Sequence, residues 1–426
     1  MFSIFSHMGP EVPLTVFLLL LLSLRTKVTP QASLLVNTSP EKLWPLLAVT
    51  DGKVENWGRT IVKTDLVDEV TQTYRKTFTT SIGAAQAREF SATFRVTQNI
   101  ENEALELTRA DLDGKSERNE LLRLTHHLTP ESSGTRLKTI YYWGPRPILA
   151  QLLARADLWG GAYRIKGQAE NGTPNERPYQ LISTAITLVT MLLTLGTFAA
   201  MIGLMLAAKL NSHDAILLGL IVGLQLVASL FVHELGHLLA YKFMGQPWGR
   251  MVFLPFLGAL AMPRLPFESQ GQSVFAALMG PGFSVILGFA CAIPYYLGQP
   301  TSPIITGLGL MTAGINIFNL LPAEPLDGGI ALRSVLARLV GSFAQWGLIL
   351  IGGLVACLGL YYEQIGLVLF GATAILANVK PRKIDVGLAP LSTLQLCIAG
   401  FAYVSILSAH VTLLKIFLSY GLLLKG

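Results

Sequence analysis

The stretch from Ala215 to Ala240, AILLGLIVGLQLVASLFVHELGHLLA, decides how the chain is interpreted. Apart from Gln225, Ser229 and the group from His233 to His237, it is apolar. A helix needs about 20 mainly apolar residues to cross the hydrocarbon core of a bilayer, so this stretch predicts a membrane span. Ionisable side chains near mid-bilayer cost at least about 2.5 kcal/mol each when charged, which favours a functional role for the three that lie here.

The composition of the whole chain fits a membrane setting. Of its 426 residues, 51% are hydrophobic and only 14% are charged, which is too apolar for an ordinary soluble enzyme. The formal net charge of +6 is scattered over one polar region and short loops, so it is explained by membrane orientation and predicts no nucleic-acid partner. The three cysteines lie in apolar segments, without the short spacings of a disulfide framework.

Further apolar runs predict a multi-pass α-helical membrane protein. The candidate spans are 181–208, 214–241, 273–297, 303–321, 343–361, 364–379, 386–409 and 411–424. A shorter apolar run at about 12–24 lacks a small-residue cleavage site before Arg25, and we interpret it as an uncleaved anchor.

Loop charges predict the orientation, because cytoplasmic loops are enriched in Lys and Arg. Alternate connections are basic, whereas those near 211–214, 299–303, 361–364 and His410 nearly lack Lys and Arg. The basic connections contain Arg25 and Lys27, Arg164, Lys166 and Arg177, Lys242 and Arg250, Arg333 and Arg338, and Lys380, Arg382 and Lys383. The predicted location is the inner (cell) membrane of a bacterium, with the polar domain and the active site toward the cytoplasm.

The polar region before the spans predicts one water-soluble domain. A strand at 32–36 is followed by a helix start at Thr38-Ser39-Pro40-Glu41, and an amphipathic helix is predicted at 147–166. The predicted strands between them are 59–67, 69–80, 88–100, 103–112, 118–128 and 134–143. This order suits a curved antiparallel sheet that grips a long helix. The adjacent His126 and His127 should point to opposite faces and are interpreted as surface or strand-end residues.

The sequence around residues 37–44 and at the final helix after Gly134-Thr135-Arg136-Leu137 resembles START-like helix-grip domains. That resemblance implies an apolar ligand in the N-terminal domain. The alternative is a packed regulatory domain without a ligand.

The His233-Glu234-Leu235-Gly236-His237 motif carries the predicted chemistry. Residues four apart in a helix are displaced by about 40° and about 6 Å, so His233 and His237 can share one metal ion. A catalytic zinc keeps one position for water, which leaves one protein ligand to find. Glu234 lies beside the same face and could take the proton of that water and pass it to the leaving amine. An inert polar cluster that joins helices is the alternative.

Asp327 is the candidate for the third ligand. It follows the helix-breaking sequence Asn319-Leu320-Leu321-Pro322-Ala323-Glu324-Pro325-Leu326, whose irregular backbone at membrane depth indicates a cavity. The loop charges place both His237 and Asp327 near the cytoplasmic side. The alternative role for Asp327 is the N-cap of a helix that starts near Gly329.

The pair of motifs resembles the site-2 protease family of intramembrane metalloproteases. That family combines H-E-x-x-H with a later N-x-x-P…L-D-G, and both occur here with the usual spacing between Asn319 and Asp327. The segments Met279-Gly280-Pro281-Gly282 and Leu254-Pro255-Phe256-Leu257-Gly258 resemble further elements of the family, and the similarity covers roughly residues 181–338.

The resemblance implies a role for each of five residues. His233, His237 and Asp327 would bind zinc, Glu234 would be the general base, and Asn319 would help to hold an unwound substrate. No insert between the 273–297 and 303–321 spans is long enough for the PDZ domain that gates some members, so the START-like domain is a candidate for that role.

The resulting prediction is a zinc-dependent endopeptidase that cleaves within or near transmembrane segments of membrane proteins, in contact with membrane lipids. The predicted organisation is an anchor at 1–30, a cytoplasmic START-like domain at 31–170, a linker at 171–180, the protease core at 181–340 and additional transmembrane helices at 341–426. The rival interpretations are a non-catalytic membrane scaffold or lipid-sensing or transfer protein, and a transporter. A transporter predicts polar residues spread over several spans, whereas here they concentrate at the two motifs.

Overall fold

The computed structural model describes residues 25–27, 29–56, 60–80, 88–110, 121–175, 177–206, 210–254, 258–379 and 388–423. The predicted anchor run at 12–24 lies outside these residues. The described chain divides into two compact units. The first contains the residues up to Thr79 and from Glu89 to Ile186, and the second contains the residues from Thr187 onward.

The first unit is built on an antiparallel sheet of eight strands, which confirms the predicted sheet domain. The strand order is β2-β9-β8-β7-β6-β5-β4-β3, so that β2 and β9 are neighbours although they lie far apart in sequence. The strands are β2 (Gln31–Val36), β3 (Val54–Asn56), β4 (Thr60–Asp68), β5 (Thr73–Thr80), β6 (Arg88–Ile100), β7 (Ala104–Arg109), β8 (Leu121–Glu131) and β9 (Gly134–Trp143). Two short strands, β1 (Arg25–Thr26) and β10 (Arg146–Pro147), pair separately.

Helix α1 (Pro40–Leu47) begins as the sequence predicts, with proline in its first turn. Proline suits that position because its missing N–H would have no helical partner. Ser39 occupies the N-cap position, but its hydroxyl makes no capping hydrogen bond to the helix backbone. Leu43, Trp44 and Leu47 are buried and belong to the main core of this unit.

Helix α2 (Ile148–Asn171) packs on the sheet beside strand β2. Its residues Leu158 and Ala162 join Ala32 and Leu34 in one buried cluster. At its other end, Ile165 and Ala169 pack against the main core of the unit. The part of α2 from Leu158 to Ala169 therefore packs against the sheet and the main core.

The interior of the first unit contains a histidine and a lysine among its apolar side chains. His126 is buried and its Nδ1 lies 2.9 Å from the Thr139 hydroxyl, whereas His127 is exposed on the opposite face. The prediction of opposite faces is confirmed, but the surface interpretation is wrong for His126. Burial, followed by the charges of Lys76 and Lys53, lowers the pKa of His126 to about 3.

This pKa predicts that the first unit weakens in mild acid. Protonation of His126 favours the unfolded state below the ordinary value of 6.5, so its contribution is lost as the pH falls from 6.5 toward about 3. The loss at pH 5 amounts to roughly 2 kcal/mol. Hydrogen exchange of strand β8 in the full chain should show this loss between pH 7 and pH 5, and His126→Gln should remove most of it. If His127→Gln removed the loss to the same extent, the assignment of the effect to His126 would be wrong.

The second unit is helical, and five segments of the described chain, the first of which begins at the end of the first unit, are long and apolar enough to cross a membrane. These segments, counted over the described residues, are Gln180–Leu206, His213–Phe243, Gln270–Tyr296, Asp327–Tyr361 and Thr393–Ser419. The helices are α3 (Arg177–Leu206), α4 (Ser212–Phe243), α5 (Gln270–Tyr296), α6 (Pro303–Asn319), α7 (Asp327–Val340), α8 (Ala344–Tyr361), α9 (Ile365–Asn378) and α10 (Thr393–Leu423). A hairpin of β11 (Arg250–Leu254) and β12 (Gly258–Met262) follows α4, with residues 255–257 outside the described chain.

Helix α10 corrects the prediction of two spans at 386–409 and 411–424. The residues on either side of His410 form one continuous helix, since no proline or glycine interrupts the chain between residues 401 and 420. His410 is fully buried, and its Nε2–H donates to the Pro281 carbonyl oxygen at 2.9 Å. The polar residue that suggested a loop is thus a buried contact between α10 and α5.

Helices α4 and α5 approach closely at Gly236. A Cβ atom added there would overlap the backbone carbonyl of Met279 and lie 2.9 Å from the Cβ of Phe283. Helices in lipid associate through such close packing, for which small residues are needed. Gly236 therefore determines how near the histidine-bearing helix lies to α5.

Substitution of Gly236 tests this contact. Gly236→Ala should lower the free energy of unfolding by about 1–3 kcal/mol, because the helices must separate to admit the methyl group. Gly314→Ala on α6 is the matched control, since an added Cβ there meets no atom within 4 Å and alanine is the better helix former. Thermal unfolding of the full chain in detergent measures both variants. Equal midpoints would show that the contact is dispensable.

Candidate metal centre

The structure brings together Asp327 and the two histidines of the motif. His233 and His237 lie on one face of α4 with their Nε2 atoms 3.1 Å apart. The Oδ2 atom of Asp327 is 3.1 Å from Nε2 of His233 and 3.4 Å from Nε2 of His237. All three residues are buried. Two segments separated by almost a hundred residues therefore meet at one point.

The outer nitrogen of each histidine ring contacts a hydrogen-bond acceptor. Nδ1 of His237 lies 2.7 Å from the Ala276 carbonyl oxygen, and Nδ1 of His233 lies 2.7 Å from Oδ1 of Asn316. The orientation of the Asn316 amide follows from its Nδ2, which donates to the Thr312 carbonyl oxygen at 2.7 Å. Both rings must donate from Nδ1, so a neutral ring at either position presents its Nε2 lone pair to the other residues of the cluster.

When both rings are neutral, two Nε2 lone pairs and a carboxylate oxygen therefore converge at one point. Such an arrangement is repulsive unless a cation lies among the three atoms. Zinc bonds of 2.0–2.1 Å to nitrogen and oxygen in a tetrahedral site give ligand separations of about 3.3–3.4 Å. The observed separations of 3.1–3.4 Å are close to these values. The donor set and its dimensions therefore fit zinc.

Gly280 on α5 makes room for the histidine rings. A Cβ atom at this position would overlap the ring of His237 and lie 3.0 Å from Nε2 of His233. Only a residue without a side chain allows α5 to pass this close to the two rings. The space that the two histidine rings require therefore explains why residue 280 is glycine.

Asp327 is the first residue of α7, which begins two residues before the predicted start. Leu326 occupies the N-cap position, and the Asp327 carboxylate points to the histidines, so the N-cap alternative is not supported. Gly328 and Gly329 let the helix start fold against the preceding loop, since added Cβ atoms would overlap the backbone of Leu320 and of Ala323. Steric constraints therefore explain the two glycines that follow Asp327.

Glu234 is buried beside the two histidines. Ligand atoms of Glu234, His233 and His237 all lie within 4.8 Å of one another. The Glu234 carboxylate accepts a hydrogen bond from the backbone N–H of Ala261 on β12. The Tyr241 hydroxyl in turn donates to the Ala261 carbonyl oxygen at 3.2 Å. The β11–β12 hairpin therefore contacts the motif helix beside the two histidines.

Asn319 and Asn316 occupy different places on α6. Asn319 is half-buried at the C-terminal end of the helix, where its Nδ2 donates to the Ile315 carbonyl oxygen at 3.2 Å. Asn316 is completely buried and contacts the His233 ring, a role that the sequence analysis missed. The one available signal was its position, since Thr312 and Asn316 are polar, four residues apart and therefore on one face of the mainly apolar helix α6.

Removal of the Asn316 acceptor should weaken the metal centre. Partners of metal-bound histidines typically contribute 10–100-fold to metal affinity, so Asn316→Leu should raise the zinc dissociation constant by about that factor. Asn319→Leu is the matched control and should change it by less than about threefold. Competition with a chromogenic chelator on the purified chain measures both. Equal effects of the two variants would contradict the role of Asn316.

Comparisons with known proteins give partial matches. No family model matches the chain. The protein sll0528 of Synechocystis, named as a zinc metalloprotease, is 33% identical over 137 residues, which are 32% of this chain and 36% of that protein. Zinc metalloprotease MJ0392 of Methanocaldococcus jannaschii is 31% identical over 119 residues, or 27% of this chain and 34% of that protein. The chain thus spans about a third of the length of these curated relatives.

Solved structures add two similarities. A site-2 protease from Methanocaldococcus jannaschii is 22% identical, with 46% of this chain and 91% of that chain covered at a TM-score of 0.31. Protein CV1439 from Chromobacterium violaceum is 16% identical, with 33% and 96% covered at a TM-score of 0.24. Both TM-scores are too low to assign a shared fold. The curated relatives and the five apolar helices support an integral membrane protein that is similar to zinc metalloproteases.

Proposed function

We propose that this chain is an intramembrane zinc endopeptidase of the site-2 protease type, which cleaves peptide bonds in or near transmembrane segments of membrane proteins. The observation that carries the proposal is the convergence of the His233, His237 and Asp327 acceptor atoms within 3.4 Å. The similarity to proteins named zinc metalloproteases supports the same metal. Membrane lipids would surround the apolar helices.

His233, His237 and Asp327 are the proposed zinc ligands, and Asp327 is preferred to Glu234 as the third. Asp327 Oδ2 is almost equally distant from both histidine nitrogens, at the spacing that a tetrahedral site requires. Glu234 is engaged by the N–H of Ala261 and is left for another role. When bound, zinc would polarise the substrate carbonyl and lower the pKa of its bound water toward neutrality.

Glu234 is the proposed general base. Its carboxylate lies beside the ligand atoms, where it can accept a proton from the attacking water and pass it to the leaving amine. The Ala261 N–H holds the carboxylate in place during this transfer. Asn319 is proposed to hold an unwound segment of the substrate, because it ends α6 at the start of the irregular loop before Asp327.

The first unit is proposed to be a START-like helix-grip domain that binds an apolar ligand and gates the protease. The packing of α2 on the antiparallel sheet supports this assignment. The exposed basic residues Lys242, at the end of the motif helix, and Arg338, in the last turn of α7, support a cytoplasmic active site in the inner membrane of a bacterium. The arrangement of the metal centre does not favour a non-catalytic scaffold.

The decisive experiment compares the native chain with Glu234→Gln. We expect the variant to retain about one zinc ion per chain and to lose at least about a hundredfold of its cleavage rate, because the proton acceptor is gone while the ligands remain. Membrane peptides from cells that express each form, measured by mass spectrometry, should include an uncleaved species that accumulates only with the variant.

Glu363→Gln is the matched control, since Glu363 is an exposed carboxylate on the α8–α9 turn. It should leave both zinc content and cleavage unchanged. If the native chain carries zinc but no peptide differs between it and Glu234→Gln, the protease assignment fails. If the native chain carries no zinc, the metal centre itself is wrong.

A further inference from the structure

The irregular segment from Leu320 to Leu326 lies between the end of α6 and Asp327. The four successive backbone carbonyls of residues 320–323 lie beyond the helix and must find hydrogen-bond donors outside it. Two of them are satisfied locally. The Leu321 oxygen accepts from the Ala323 N–H at 2.7 Å, and the Ala323 oxygen accepts from the Leu326 N–H at 2.8 Å. The carbonyls of Leu320 and Pro322 alternate with these two and need partners from elsewhere.

Side chains of the C-terminal helices supply both partners. The Tyr403 hydroxyl of α10 donates to the Leu320 carbonyl oxygen at 2.5 Å. Nδ2 of Asn378, the last residue of α9, donates one hydrogen to the Pro322 carbonyl oxygen at 2.8 Å and the other to the Ala374 carbonyl oxygen at 2.7 Å. Both amide hydrogens of this buried asparagine are therefore used.

The same two helices also pack on the segment. Ala374 of α9 is fully buried against Leu321 and Ala323. Leu320 belongs to a second cluster with Ala399 of α10. The hydrogen bonds thus lie inside two apolar contacts, where water cannot easily replace a missing donor.

We propose that Tyr403 and Asn378 are positioning residues of the metal centre. They hold the segment Leu320–Leu326 so that the Asp327 carboxylate meets the two histidines. Irregular backbone at membrane depth is tolerated only where protein satisfies its polar groups, and these side chains meet that condition for the ligand-bearing loop. The C-terminal helices, for which the sequence offered no chemistry, thereby acquire a function. The inference rests on the proposed zinc centre.

The test is the zinc dissociation constant of the purified full chain, measured by chelator competition. Tyr403→Phe and Asn378→Leu should each weaken zinc binding by about tenfold, the lower end of the range for outer partners of metal ligands. Ser419→Ala on α10 and Thr373→Val on α9 are the matched controls, because each hydroxyl bonds only within its own helix among the described contacts. The controls should change binding by less than about twofold.

A second measurement separates positioning from general stability. In an Asp327→Asn background the loop supplies no carboxylate, so Tyr403→Phe should cause little further loss of zinc affinity. An equal loss in both backgrounds would mean that Tyr403 only stabilises the fold, and would overturn the inference. Circular dichroism and gel filtration confirm folding of each variant, and Tyr403→Phe alone decides the matter if Asn378→Leu does not fold.

The outcomes distinguish this inference from the proposed function. If the native chain binds zinc and both variants bind it equally well, the positioning role fails while the metal centre stands. If the native chain binds no zinc, both fail. A selective loss in the two variants with unchanged controls supports the role of the C-terminal helices.

Discussion

The convergence of three electron-rich atoms is the constraint on which the membrane unit depends. Nε2 of His233, Nε2 of His237 and Oδ2 of Asp327 lie within 3.4 Å of one another, and with both rings neutral they repel unless a cation lies among them. The surrounding groups maintain this arrangement. Asn316 and the Ala276 carbonyl orient the two rings, so that the lone pairs point inward. These hydrogen bonds from outside the proposed ligand set orient the rings as binding of a metal ion would require.

Backbone proximity makes the centre possible. Gly236 lets α4 touch α5, Gly280 leaves space for the rings, and Gly328 lets the start of α7 fold against its own preceding loop. Apolar packing alone gives little preference for one helix arrangement over another in lipid, because the lipid tails are equally apolar. Close contacts at glycine, together with hydrogen bonds between helices, supply that preference here. Glycines, which carry no side chain, thus determine how closely His233, His237 and Asp327 can approach one another.

The two units solve the problem of buried polar groups differently. In the first unit, His126 and Lys76 lie in the interior of a sheet domain, where burial lowers the pKa of both. In the second, the polar side chains of α6 and α4 form a chain of hydrogen bonds. Ser229 contacts Thr312 at 2.9 Å, and Asn316 on the next turn bonds the Thr312 carbonyl as well as His233. Helix α4, which carries His233 and His237, is thus held against α6 by hydrogen bonds between polar side chains.

Much of the architecture could be predicted because its signals are local. Apolar runs predicted the helices, alternation predicted the strands, and the four-residue spacing of His233 and His237 predicted that they share a face. The division of the C-terminal region failed for a tertiary reason. His410 suggested a break between spans, but its partner is the Pro281 carbonyl on α5, and a buried histidine with such a partner can remain within a helix.

By itself the sequence determined the membrane helices, the sheet domain and the two motifs, because periodicity and breaker residues act over a few positions. Only the tertiary structure decided that Asn316 rather than Asn319 contacts His233, and that Tyr403 and Asn378 serve the loop before Asp327. These contacts join helices far apart along the chain. Asparagine and tyrosine carry no sequence mark of their partners, because a hydrogen bond depends on distance and direction in space rather than on separation along the chain.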